Sequence, residues 1–105
     1  MVEHPALHRL EPGETVQALA RAQTASLLVT DRRVAVAEDE RLALDLPFEG
    51  LRRIQFDIER ERPATLVIVP EHPANEPQVI AVPPDRFDEV TRALAIIGSR
   101  LYQLD

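Results

Sequence analysis

Histidines are the residues of this 105-residue chain that first suggest metal chemistry. His4 and His8 lie four residues apart, and on a helix this spacing places both imidazoles on one face, as a metal pair requires. A proline between them limits any such helix, and no cysteine is available as a third ligand, although Glu3 or Glu11 could serve. We therefore interpret His4 and His8 as parts of an exposed terminal segment and His72 as a loop residue, and we predict neither a metal site nor a cofactor.

Two arginine pairs are candidates for contact with anions. Arg32-Arg33 falls in a predicted turn, and Arg52-Arg53 begins a predicted strand. Because successive side chains of a strand point to opposite faces, only one arginine of each pair can join a common patch. For Arg33 we favour a structural ion pair, with an acid such as Asp31 or Asp57, over contact with an anion or a nucleic acid.

Acidic residues cluster at Asp57, Glu59 and Glu61 and resemble a catalytic or calcium-binding group. A calcium loop needs closely spaced oxygens and a glycine turn, which this segment lacks. Asp57 and Glu59 alternate with apolar residues, so we interpret them as the solvated face of a sheet. A second hypothesis is that residues 57–62, with charges of both signs, form an ion-pair edge between subunits.

The nucleophilic residues do not indicate catalysis. Ser26 and Ser99 lie outside any Gly-x-Ser-x-Gly elbow, and the three glycines are too far apart for a phosphate-binding loop. We therefore predict that the protein is not an enzyme.

The charge balance is acidic, because 18 Asp and Glu residues oppose 12 basic residues, giving a net charge of −6. A uniformly acidic domain is repelled by phosphate backbones and by anionic lipids. We therefore predict no nucleic-acid partner and do not expect membrane binding. No apolar run approaches the roughly 20 residues needed to cross a bilayer, and Met1–Leu10 lacks the features of a signal peptide, so we expect a cytoplasmic protein.

Alternating apolar residues predict strands through the middle of the chain. Leu42, Leu44 and Leu46 alternate, and the same period recurs from Ile54 to Ile58, which indicates a sheet with one buried face. Turn-forming residues separate the apolar runs. The predicted strands are 14–20, 26–30, 34–37, 42–46, 51–59, 64–69 and 78–82.

Two connections carry specific expectations. Residues 30–33 predict a tight turn in which Asp31 caps the backbone. Residues 47–50 predict a corner between two sheets.

A helix is predicted after Pro84, because proline suits the first helical turn and apolar residues then recur three and four apart. Gly98 inside this helix costs about 1 kcal/mol relative to alanine, and we interpret it as a point of close approach to a strand. The predicted helix, 84–104, caps the sheets, and its deletion is expected to unfold the protein. Its stripe comprises Phe87, Val90, Leu94, Ile97, Leu101 and Leu104.

The predicted fold class is therefore mainly β with one C-terminal α-helix, arranged as a small barrel or sandwich. A chain of this length forms a single domain, 1–105. Residues 1–11 form an N-terminal extension, in which Pro5 can open a short helical turn.

Short motifs at the strand turns resemble those of the bacterial pleckstrin-homology-like (PH-like) domain and of related GRAM-type domains. They are Pro12-Gly13-Glu14, then Leu28-Val29-Thr30-Asp31 with Arg33-Val34, then Leu46-Pro47-Phe48 before Leu51 and Ile54. The resemblance covers most of residues 10–104. It implies a seven-stranded, partly open barrel capped by the C-terminal helix.

In function, the resemblance implies an adaptor or assembly module, since bacterial members include some that form rings or other homo-oligomers. Eukaryotic members often bind phosphoinositides through Lys and Arg in the first hairpin loop. In this chain that loop lies near residues 21–24, which contain one basic residue, Arg21.

Our leading interpretation is a non-catalytic interaction or adaptor module that contacts a protein partner or self-associates. Strand edges that remain open invite pairing, and Val79–Val82 and Ala18–Ala20 are the candidate edges. The alternative is a ligand-binding or regulatory domain for an anionic small molecule or lipid headgroup. Its anion-binding residues would be Arg21, Arg32 and Arg33.

Overall fold

Seven strands in two antiparallel sheets and one helix make up the fold of the described residues. The computed structural model describes residues 4–39, 41–60 and 62–103, and Glu3, Glu61 and Leu104 lie outside these ranges. The first sheet has the strand order β1-β2-β3-β4 and the second has the order β5-β6-β7. The elements are β1 (Val16–Arg21), β2 (Ala25–Thr30), β3 (Arg33–Glu38), β4 (Arg41–Pro47), β5 (Leu51–Asp57), β6 (Ala64–Pro70), β7 (Gln78–Val82) and α1 (Phe87–Gln103).

The core lies between the two sheets and α1, and it is almost wholly aliphatic. Val90, Ala93 and Ile97 of α1 are fully buried against the inner faces of both sheets. Phe87 adds an edge-to-face contact with Phe56 of β5, with ring centroids 5.6 Å apart. The predicted helix stripe is therefore confirmed for the residues that the structure describes.

The predicted corner between the sheets is a 3₁₀ turn at Phe48–Gly50. Phe48 is buried in the core, and the guanidinium of Arg100 from α1 lies 5.7 Å from the centroid of its ring. Glu71 at the end of β6 donates its N–H to the carbonyl of Gly50. The corner is thus fixed from inside the core and from the neighbouring strand.

Gly98 does not approach a strand, contrary to the sequence interpretation. It lies on the exposed side of α1, and a Cβ placed there would have no heavy atom within 4 Å beyond the helix itself. The apolar stripe lies on the opposite face of the helix, which packs against the core. Gly98 therefore faces solvent.

A bulge in β4 changes which leucines face the core. Two neighbouring residues of β3 pair with Leu44 and Leu42, so Ala43 is an extra residue in the ladder. Leu44 and Leu46 pack in the main core, whereas Leu42 packs on the outer face of the first sheet, near Leu28. The prediction that Leu42, Leu44 and Leu46 share one buried face is therefore wrong.

Strand β5 ends at Asp57, two residues earlier than predicted. Ile58, which the alternation placed in the core, is 64% exposed. It follows the last paired residue of β5 and has left the ladder that would have turned it inward.

The N-terminal extension covers the outer face of the first sheet. Pro5–Arg9 forms a 3₁₀ turn, and Ala6 is buried against Leu28. His4 is only 4% exposed, so the prediction of an exposed segment is wrong for His4 and right for His8. We name this segment, residues 4–10, the N-terminal strap.

Hydrogen bonds at both ring nitrogens explain how His4 can be buried. Its Nδ1 accepts the N–H of Ala6 at 3.1 Å, and its Nε2 lies 3.3 Å from the carbonyl oxygen of Ser26. This arrangement requires the neutral ring, with the proton on Nε2.

Candidate functional site

Arg33 lies at the centre of an ion-pair cluster, formed with Glu11, Glu14, Arg32 and Asp45, in which Glu14 is buried and Glu11 and Arg32 are exposed. Its Nε and Nη2 atoms each donate to Glu14 at 2.8 Å, and its Nη1 donates to Asp45 at 3.3 Å. The side chain of Glu14 is fully buried, and that of Arg33 is 15% exposed. A planar guanidinium matches the two carboxylate oxygens, which gives this bidentate pair a fixed geometry.

Thr30 connects this cluster to the turn between β2 and β3. Its hydroxyl donates to Glu14 at 2.6 Å and accepts the N–H groups of Arg32 and Arg33, each at 3.0 Å. The turn was predicted to be capped by Asp31, and that prediction is wrong. The carboxylate of Asp31 instead accepts the N–H of Thr15, so it is directed toward the start of β1.

Residues before β1 complete the cluster. Gly13 has φ of 81°, a left-handed conformation that glycine adopts without strain, and it turns the chain so that Glu14 faces Arg33. Glu11 accepts from Nη1 of Arg32 at 2.9 Å, and Arg32 also donates to the carbonyl of Pro12. The chain therefore closes a loop around the two arginines before β1 begins.

The predicted ion pairing of Arg33 is present, but both suggested partners were wrong. Asp57 belongs to the second sheet, and Asp31 is bonded to Thr15. Glu14 lies 19 residues before Arg33, so only the pairing of strands brings the two together. Local sequence spacing could not have found it.

The charge interactions in this cluster have a structural role. Burial alone would raise the pKa of Glu14, but hydrogen bonds from Arg33 and Thr30 outweigh it and lower the pKa to about 2. The same bond to Glu14 raises the pKa of Arg33. Three carboxylates surround two guanidinium groups, so the cluster has no surplus positive charge with which to attract an anion.

The three arginines of the anion hypothesis are not brought together. Arg32 and Arg33 lie beside the start of β1, whereas Arg21 lies at its end, roughly 16 Å away along the strand. The backbone N–H of Arg21 donates to Glu89 of α1 at 3.2 Å. The cavity of about 290 Å³ next to the ion-pair cluster is lined by Glu11, Arg32, Arg33, Asp45 and Pro47.

Arg52 and Arg53 do not split between the faces of the second sheet as predicted. Leu51 pairs with Pro70 and Arg53 with Val69, so Arg52 is an extra residue in the ladder. Both arginines are exposed as a result.

A second region is the edge of β7 that faces away from β6, where the described part of the chain places one backbone bond to the β1–β2 loop. Ala81 accepts the N–H of Gln23 from the β1–β2 loop at 3.1 Å, and this bond is on the side of β7 that faces away from β6. In an antiparallel strand, the N–H and C=O of one residue point to the same side, and the side alternates along the chain. The backbone groups of Val79, two residues earlier, therefore also point to this free edge.

The outer face of the second sheet beside this edge is apolar. Val79 of β7 lies directly opposite Val67 of β6, and Val69 lies two residues further along the same face of β6. Val67 and Val69 are half-buried, whereas the residue at the edge, Val79, is 71% exposed. We name Val67, Val69 and Val79 the valine face.

A cleft of about 550 Å³ adjoins Val79, between the start of β4 and the start of β7. Its charged residues are Glu38, Arg41 and Glu76, and Arg41 already pairs with Glu38 at 3.7 Å. Its remaining lining residues are Leu42, Ala43, Ala74, Asn75, Pro77, Gln78 and Val79.

Of the two edges predicted to be open, Ala18–Ala20 is covered. Helix α1 packs along β1, Ala20 is 1% exposed, and the N–H at the end of the strand is bonded to the helix. The edge at Val79 therefore remains as the candidate interaction surface.

Within residues 4–39, 41–60 and 62–103, no group of three or more His, Asp or Glu side chains is placed to hold a metal ion. Helix α1 falls short of the length and apolar character of a membrane-spanning helix, as does every other helix in the described part of the chain.

Comparison with known proteins identifies the fold. No protein-family model matches the sequence, and no curated protein matches it. A solved pleckstrin homology domain from Shewanella amazonensis SB2B matches the structure with a TM-score of 0.69 over 92% of each chain, at 12% identity. The predicted seven strands and capping helix are thereby confirmed. The chain has the fold of a bacterial pleckstrin homology domain.

Proposed function

We propose that the protein is a non-catalytic interaction module that binds another protein chain by adding a strand to β7. Val79 carries the proposal, because its backbone groups point to the free edge and its side chain is 71% exposed. An open strand edge is a template for pairing with another chain. Strand addition is a common mode of peptide recognition, in which the backbone supplies affinity and alternate side chains supply specificity.

The cleft next to Val79 supports this proposal and suggests the character of the partner. It has both apolar and polar lining, and its charges sum to −1, from Glu38, Arg41 and Glu76. We expect a partner segment that is extended, aliphatic at alternate positions, and neutral or basic where it meets Glu76.

The alternative function, binding of an anionic small molecule or lipid headgroup, has no comparable support. Arg33 is held by Glu14 and Asp45, and Arg21 lies at the other end of β1. The net charge of −6 also opposes the approach of an anion.

Selection from a phage-displayed library of random eight-residue peptides tests the proposal. We expect selected peptides to shift the NMR amide resonances of Val79 and Ala81, and we expect Val79→Asp to abolish these shifts. Ile58→Asp is the matched control, because Ile58 is also exposed but follows β5, at the far edge of the second sheet. Peptides that bind equally well to Val79→Asp, or that shift only resonances of the first sheet, would contradict the proposal.

A further inference from the structure

On the edge of β7 that faces away from β6, the backbone N–H and C=O groups form a pattern that is complementary to a second copy of the same strand. Val79 directs both its N–H and its C=O to the free edge, and Ala81 directs its N–H there. The C=O of Ala81 is already bonded to the N–H of Gln23. Pro77, two residues before Val79, precedes the strand and has no N–H.

We propose that two copies of this chain pair through β7, antiparallel, about a two-fold axis at Val79, so that their second sheets form one six-stranded sheet. The inference rests on the proposed function and names its partner, a second copy. A two-fold interface requires one patch that complements itself, and the free groups of β7 satisfy this condition.

The register follows from the donors and acceptors. With the axis at Val79, the two Val79 residues exchange both N–H···O=C bonds, so two backbone bonds form at the axis. At each end the contact stops at Ala81, because the N–H of Gln23 from the β1–β2 loop already occupies the carbonyl of Ala81 on this edge.

Neighbouring registers fit less well. An axis at Ala81 would direct each Ala81 N–H to the opposite Ala81 C=O, which already accepts from Gln23, and an axis at Ile80 would direct the N–H of Val79 to the same occupied C=O. In the register centred on Val79, Glu76 falls opposite Val82, so no charged residue of the segment 76–82 faces another.

Side chains at the axis favour the same pairing. The two Val79 side chains would meet on the outer face and extend the valine face across both copies. Strand β7 contains no charged residue that would oppose the approach of a second copy.

Oxidative cross-linking of Val79→Cys tests this inference, because the natural chain contains no cysteine. Residues that exchange both backbone bonds have Cα atoms about 5.5 Å apart, within the range that a disulfide spans. We expect Val79→Cys to form a covalent dimer about tenfold faster than Ile58→Cys, whose exposure is comparable but whose position is remote from the axis. Equal rates for the two variants would overturn the two-fold pairing.

A second variant tests the backbone separately from the side chain. Val79→Pro removes an N–H that β6 does not use, so the β6–β7 ladder can persist, as for prolines on other edge strands. We expect sedimentation equilibrium to show a concentration-dependent dimer for the natural chain and one-chain mass for Val79→Pro, with unchanged circular dichroism.

The outcomes separate this inference from the proposed function. One-chain mass for the natural sequence at millimolar concentration, together with displayed peptides that still shift the Val79 amide, overturns the two-fold pairing and leaves strand addition standing. One-chain mass without any peptide binding at β7 overturns both. Assemblies larger than a dimer would overturn the two-fold pairing, because an isologous contact closes at two copies.

Discussion

The hydroxyl group of Thr30 has all of its hydrogen-bonding capacity in use. It donates once, to Glu14, and accepts twice, from the N–H groups of Arg32 and Arg33. A hydroxyl has one donor and two acceptor positions, so this buried group is fully satisfied. Through it, the β2–β3 turn and the buried carboxylate of Glu14 hold each other in place.

The low pKa of Glu14 predicts acid sensitivity. Its pKa is about 2 in the folded protein against 4.5 as the ordinary value, so the folded state favours the charged form. This stability is present above pH 4.5 and is lost as the pH falls from about 4.5 to about 2. The shift corresponds to about 3 kcal/mol of unfolding free energy.

Urea unfolding at a series of pH values measures this effect. We expect Glu14→Gln to lower stability by about 3 kcal/mol at pH 7 and to remove most of the decline between pH 4.5 and pH 2. Glu76→Gln, at an exposed position in the cleft, is the control. The same pH profile for Glu14→Gln and the natural chain would show that the carboxylate does not contribute in this way.

At the scale of elements, some features were readable from the sequence and others were not. Strand β7 was predicted with its observed bounds, because Pro77 and Pro83 frame a short apolar run. The helix stripe was predicted because its period spans several turns. By contrast, the position of Leu42 on the outer face of the first sheet depends on how β4 pairs with β3. The burial of His4 depends on Ser26, 22 residues away. These features require the assembled sheets.

The candidate sites, too, were only partly predictable from the sequence. That Arg33 is structural could be predicted, since the chain is acidic, but its partner Glu14 could not. The open edge at β7 was one of two candidates from sequence. Only the packing of α1 along β1 distinguishes it from the edge at Ala18–Ala20.

Gly98→Ala is expected to stabilise the protein. Gly98 lies in the interior of α1 with open space where a Cβ would be, so alanine gains helix propensity without a clash. We expect the free energy of unfolding to rise by about 1 kcal/mol. Thermal or urea unfolding checks the change, with Ala93→Gly, at a buried position of the same helix, expected to have the opposite sign. A loss of stability in Gly98→Ala would contradict the placement.

The N-terminal strap is expected to loosen in mild acid. Burial lowers the pKa of His4, and the carbonyl of Ser26 and the carboxylate of Asp45 offset only part of this effect. The released strap therefore takes up a proton at a higher pH than the packed strap, so the packed state loses stability as the pH falls below about 6.5.

Hydrogen exchange of the Ala6 amide, which donates to His4, reports this opening. We expect protection of this amide to fall as the pH is lowered below about 6.5, after correction for intrinsic exchange. Protection of Ile68, in the centre of β6, should not change over this range. The His72→Gln variant, altered in an exposed loop, should behave as the natural chain does. Constant protection of Ala6 would contradict the prediction.

At the scale of the whole molecule, net charge opposes the pairing that β7 permits. Each copy has a net charge of −6, so two copies repel each other even though β7 itself is uncharged. Salt screens this repulsion, with a Debye length of about 30 Å at 0.01 M and about 8 Å at 0.15 M. Raising the salt concentration over this range should therefore tighten the dimer several-fold.

Sedimentation equilibrium at the two salt concentrations checks this prediction. Binding of an anion by arginine would respond in the opposite direction, because salt weakens attraction between opposite charges. A dimer that weakens as salt is added would point to pairing through charged side chains instead of the uncharged edge of β7.

The strap and the helix have a joint consequence for how large an assembly can grow. The strap covers the outer face of the first sheet, and α1 covers the edge at β1. Once two copies have joined at β7, that edge is used in both of them, and a third copy could be added only through another edge strand, β4 or β5. A fibre that repeats the β7 contact is therefore excluded, because a two-fold contact closes at two copies.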